Sequence, residues 1–207
     1  VDAVSNPIPN LPCFVRTARW EAICNILCQK TAAGMIPLLK EAIDSLSETF
    51  DVITSDRTLA LDFITKLMDY STMTYDILLQ SKLLQFLVGI FCNNPNSSLF
   101  HISFRNFVDK GIQNEKFVME MVQLYVPLFV DLSARKDNRV CRATCLTLIN
   151  SFLELGRRNH GVKIALRETK GLQEFVTTEL AEYNQTIAQP YGGEKGSVST
   201  FFKKIFE

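Results

Sequence analysis

The sequence predicts an all-α fold, an armadillo- or HEAT-like α-solenoid of about four helical hairpins. Three observations lead there. Apolar residues recur at helical spacing along most of the chain. Glycine (9) and proline (7) are scarce among 207 residues, a composition that favours buried helices over a loop-rich or disordered chain. The breaks are regular: hairpins are expected to start near residues 13, 55, 97 and 137. That step falls within the ~40–47 residues of HEAT and armadillo repeats.

Residues 1–12 hold three prolines and form an extended lead-in. Residues 13–187 make the helical-repeat domain. Its first helix is expected from Cys13 to Gln29, with a stripe of Trp20, Ile23, Ile26 and Leu27, and is ended by Thr31–Gly34. Pro37 then sits near the first turn of a second helix, where its missing N–H is harmless. Leu38, Leu39, Ala42, Ile43 and Leu46 point inward there, and Glu41, Asp44 and Glu48 outward. Ser55 or Asp56 is expected to cap a third helix carrying Leu59, Leu61, Phe63, Ile64 and Leu67.

A short element, Thr74–Gln80, leads into Lys82–Cys92. Leu83, Leu84, Phe86, Leu87, Val88, Ile90 and Phe91 make this helix apolar nearly all round, which predicts a central place. The helix Ser97–Ile112 presents Leu99, Phe100, Phe104, Phe107 and Val108. Glu115–Leu132 contains Pro127, which should kink or split it. Asp137 or Asn138 caps Arg139–Leu155, whose stripe is Cys141, Cys145, Leu148, Phe152 and Leu155. Helices near Val162–Thr169 and Leu172–Ile187 follow. Residues 188–200 read as a linker, and Phe201–Glu207 as a docking segment too short to be a stable free helix. Its docking place would be in cis or in trans. The chain starts at Val1 without Met, and a longer protein is expected around it.

Net charge is zero, from 22 basic and 22 acidic residues, which argues against a dedicated nucleic-acid binder. Residues 1–103 carry 7 basic and 10 acidic side chains, and residues 104–207 carry 15 and 12, an asymmetry too small for a strong field. No apolar run reaches the ~18 residues of a membrane span. Six cysteines do not suggest a disulfide framework. Cys24/Cys28 and Cys141/Cys145 are i, i+4 pairs within apolar stripes, which reads as core packing in a reducing compartment rather than as a metal site.

Catalytic residues are not expected, and neither is a cofactor: the chain has no phosphate loop, nucleophile–base set or metalloprotease motif. His101 reads as a buried, satisfied histidine, and His160 as an exposed one. Two basic groupings are the candidate protein-binding residues. Arg135, Arg139 and Arg142 line one side of a helix. Arg157, Arg158 and Lys163, with Arg167 and Lys170, cluster at the next connection. They read as a solvated face or as a groove for an acidic segment or phosphate, since arginine forks match both anions. The tail places Val198 three residues before Phe201 and Phe202, with lysines after. This is similar to a sliding-clamp-binding peptide without its glutamine.

Three stretches together resemble the SAPS-domain family, regulatory subunits of the Sit-four/protein phosphatase six type. The run Asp76–Phe91 is followed, after Cys92–Pro95, by Asn96-Ser-Ser-Leu-Phe-His101, similar to the family's leucine-rich helix and Asn-Asn-hydrophobic-hydrophobic-His motif, with Ser97 or Ser98 in place of the second Asn. Phe175–Asn184 resembles the segment near the end of the family's helical domain, with Leu172 or Gln173 where Trp is usual. Arg57–Leu67 fits the helix before the first motif. The match spans about residues 35–190 and corresponds to the C-terminal half of the domain. It implies a non-catalytic scaffold that docks a serine/threonine phosphatase catalytic subunit and directs it to substrates in the cytoplasm, with the nucleus as an alternative location. Asn96 and His101 would then lock a hairpin turn, and Phe175 and Asn184 would be structural. The alternative is an armadillo-like module in trafficking, cytoskeletal regulation or clamp binding through Val198–Phe202.

Overall fold

A computed structural model of the chain describes residues 11–48, 52–135 and 138–188. The described residues are helical, with no strand among them. They fall into two compact units, divided after Phe117.

The first unit opens with α1 (Cys13–Ile26), whose start is closed by the Pro12 carbonyl accepting from the Val15 and Arg16 N–H groups. After the single turn α2 (Ala32–Met35), α3 (Leu38–Ser47) buries all five residues of its inward set. Next come α4 (Ser55–Tyr70), α5 (Met73–Gln80), α6 (Leu83–Asn93) and α7 (Ser98–Gly111). α4 packs on α1 and on α7, while α3 packs on α4 and on α6. The unit therefore has one layer of α1, α4 and α7 and another of α3 and α6. Trp20 meets Phe63 across the α1–α4 contact, with ring centroids 5.3 Å apart. Phe91, Phe100, Phe104 and Phe107 are fully buried. Each such ring contributes about 1.5–3 kcal/mol through burial.

Several expectations change here. The hub of the unit is α4, not α6, because α4 has neighbours on more of its circumference. Phe86 of α6 is 37% exposed, so that helix keeps one open face. Ile26 and Leu99 are exposed as well, since each lies off the side of its helix that meets a neighbour. The N-cap of α4 is Thr54. Ser55 is exposed, and Asp56 turns inward to an ion pair instead of capping.

The helix α8 (Glu115–Ala134) carries the chain from one unit into the next. Pro127 does not split it. The ring lies on the exposed side, and the carbonyl it leaves without a donor belongs to exposed Gln123, where water can replace the lost bond. α8 is long and apolar enough to cross a membrane by composition alone, yet Met121, Val122, Tyr125, Val126 and Phe129 are packed inside the fold. Burial pushes the Tyr125 phenol well above its usual pKa.

In the second unit α9 (Arg139–Gly156) is capped by Asn138, whose side chain accepts from the Cys141 N–H at 2.9 Å. α9 packs on α10 (His160–Glu168), itself capped by Asn159. The contact is close at Gly156, where a Cβ would lie 2.7 Å from Leu166 Cδ1. Gly171, at φ 78°, makes the left-handed turn into α11 (Leu172–Phe175). That helix runs through a π-helical step, Val176–Leu180, into α12 (Ala181–Ala188). Cys24, Cys141 and Cys145 are buried as expected, but Cys28 is exposed in the turn after α1.

Candidate functional site

The first unit has an open cleft of about 500 Å³ between α1, α3 and the start of α4. Its walls are charged. Asp56, 3% exposed, occupies the second position of α4, in line with the stripe that buries Ala60, Ile64 and Leu67. Arg16 donates from Nε to Asp56 Oδ2 at 2.7 Å and from Nη1 to the Leu11 carbonyl at 2.6 Å. Cys13 donates to the other carboxylate oxygen at 3.1 Å. Burial alone would raise the Asp56 pKa; hydrogen bonds from Thr54, Arg16 and Cys13 outweigh it and hold the carboxyl below its ordinary range. Arg57, next to Asp56 on α4, reaches across to α3 and donates to the Ser45 carbonyl at 2.8 Å and to Glu48 at 3.1 Å. Lys40 pairs with Asp44 and Arg19 with Glu41.

A carboxylate kept ionised by a fixed arginine makes a poor general acid, which needs a raised pKa. The cleft offers instead fixed charged side chains together with apolar surface from Pro37 and Leu38, a combination suited to docking. Among the described residues no group of three metal-binding side chains exists.

The α6–α7 turn is locked by a second polar cluster. His101 is buried, and its Nε2 lies 3.1 Å from the Asn94 carbonyl, to which it donates. Its ring packs against that of Phe91, with centroids 4.6 Å apart and the planes tilted by 32°. Burial lowers the His101 pKa, partly opposed by that hydrogen bond. The Asn94 side chain donates to the Ile90 carbonyl at 2.9 Å and accepts from the Ile53 N–H at 3.2 Å. Asn96, expected to share this role, is exposed in the turn; Asn94 sits at the centre.

The expected basic groove takes a different form. Arg135 pairs with Asp131 at 2.5 Å on its own helix. Arg142 turns inward, donating to Glu179 at 2.8 Å and to the Ser133 carbonyl at 3.2 Å. Arg139 is exposed on the first turn of α9. Arg157 and Arg158 share Glu154, each at 2.8 Å. Lys163 is half-buried on α10. Arg135, Arg142, Arg157 and Arg158 thus each have an acidic partner within the chain. Phe175 is buried, and Asn184 forms a reciprocal amide pair with Asn150 at 2.8 and 3.1 Å. Val198, Phe201 and Phe202 lie outside the described residues.

No family model, curated protein or solved structure matches the chain. The site therefore rests on its own geometry. Sequence reasoning missed Arg16, Arg57, Asn94, Asn150 and Glu179 as partners. One signal was present for Asp56: it precedes Ala60 by four residues, and so stands on the apolar side of α4.

Proposed function

We propose that the chain is a non-catalytic helical-repeat scaffold that docks a serine/threonine phosphatase catalytic subunit and directs it to substrates in the cytoplasm. The observation that carries the repeat reading is the packing of equivalent helices in the first unit. α1, α4 and α7 start at residues 13, 55 and 98, and each packs on the next; α3 and α6 pair in the second layer. α9 begins at residue 139, one further interval on. Repeats of ~40–47 residues stack in this way because none can bury its apolar face alone.

The docking reading is supported by the open cleft, lined mainly by charged residues where a small-molecule pocket would be lined mainly by apolar ones. The phosphatase as partner is supported by the resemblance at Asp76–His101. The test is co-elution of this chain with a purified phosphatase six-type catalytic subunit in size-exclusion chromatography. A stoichiometric complex at micromolar concentration is expected. Separate elution would remove the phosphatase from the reading.

A further inference from the structure

We propose that the groove between α3 and α6 holds an extended peptide segment of a partner protein, one that carries a basic and an aliphatic side chain. The inference rests on the protein-docking reading above but not on a phosphatase as the partner.

The groove, of about 270 Å³, has Leu46 and Ile90 at its floor and half-exposed Phe86 at its side. Gln85, Gly89 and Asn93 follow one another at four-residue steps along α6 and line the same opening. Each amide offers a donor and an acceptor, the pair that an extended backbone presents in return. Between them Gly89 leaves bare helix backbone. A Cβ there would meet nothing within 4 Å. Packing therefore gives no reason for a residue that costs a helix interior about 1 kcal/mol relative to alanine. A chain lying against α6 does give one, since the missing Cβ lets it approach.

The charge of the groove selects the segment. Glu48 is the charged residue among those lining it. In its ion pair the carboxylate is 67% exposed and Arg57 only 11%, so the negative end faces outward. Glu48 also lines the larger cleft, so the two concavities adjoin at that residue. A lysine or arginine meets Glu48 at this junction, and an aliphatic side chain reaches Phe86 and Ile90.

The test is selection from a positional library of acetylated, amidated heptapeptides by the full chain. Enrichment of lysine or arginine together with leucine or isoleucine is expected. N-methylation of the enriched peptide should weaken binding about tenfold through lost backbone hydrogen bonds. Gly89→Ala should raise Tm by about 2–4 °C while weakening the peptide several-fold, and Gly89→Leu should abolish binding. No enrichment, enrichment of acidic peptides, or binding unchanged in folded Gly89→Ala and Gly89→Leu would overturn the proposal. Peptide selection without phosphatase co-elution would keep the groove and discard that partner.

Discussion

The two units use ion pairs differently. In the first, Arg16–Asp56, Arg19–Glu41 and Lys110–Asp69 join separate helices, with partners 40, 22 and 41 positions apart, alongside the in-helix pairs Lys40–Asp44 and Arg105–Asp109. In the second, Arg135–Asp131, Arg157–Glu154 and Arg158–Glu154 lie within a helix or its end, three or four positions apart. Arg142–Glu179 there reaches across 37 positions. Pairs within one helix persist wherever that helix forms and tune it slightly. Pairs between helices exist only in the assembled fold, so they specify which helices meet and shape the cleft between them.

Breaking the pairs should expose this difference. Asp56→Ala should cost the most, about 2–3 kcal/mol in urea unfolding, because it strands Arg16 and the Cys13 thiol; Arg16 is 41% exposed, which keeps the loss below that of a fully buried pair. His101→Ala, at the other interhelical lock of the first unit, should cost about 2 kcal/mol through the lost Asn94 bond and the space left beside Phe91. Its pH signature has a definite sign. The folded-state pKa lies below the ordinary 6.5, so the unfolded chain takes up the proton first. Wild-type stability should be complete above pH 6.5 and fall as pH drops below it, a slope that the variant loses. Arg142→Met should cost about 1 kcal/mol, since both members of that pair are about a quarter exposed. Glu154→Ala should change stability by less than about 0.5 kcal/mol. A cost for Glu154→Ala equal to that of Asp56→Ala would erase the distinction between the units.

Much of the fold was legible. The inward set of α3 was complete because a single amphipathic period fixes it. The starts of α1, α4, α7 and α9 fell within two residues of the expected breaks. The misreadings share a cause: hydrophobicity along one helix does not say how many neighbours that helix will have. α6, the more apolar, kept an open face, while α4, with Asp56 and Asp62 along it, became the hub. The candidate site was far less legible. Partners about 40 positions apart leave no periodic trace, and Arg142 looked like part of a surface row until Glu179 and the Ser133 carbonyl were placed beside it.

The π-helical step at Val176–Leu180 was invisible to a 3.6-residue period, and it governs more than its own turn. Glu179 and Asn184, five apart, would stand about 140° from each other on an ordinary α-helix. The wider turn draws both toward α9, one to Arg142 and the other to Asn150. Deleting a single residue from that step would restore normal pitch and swing everything beyond it by about 100°, so one surplus residue sets the heading of the last described helix.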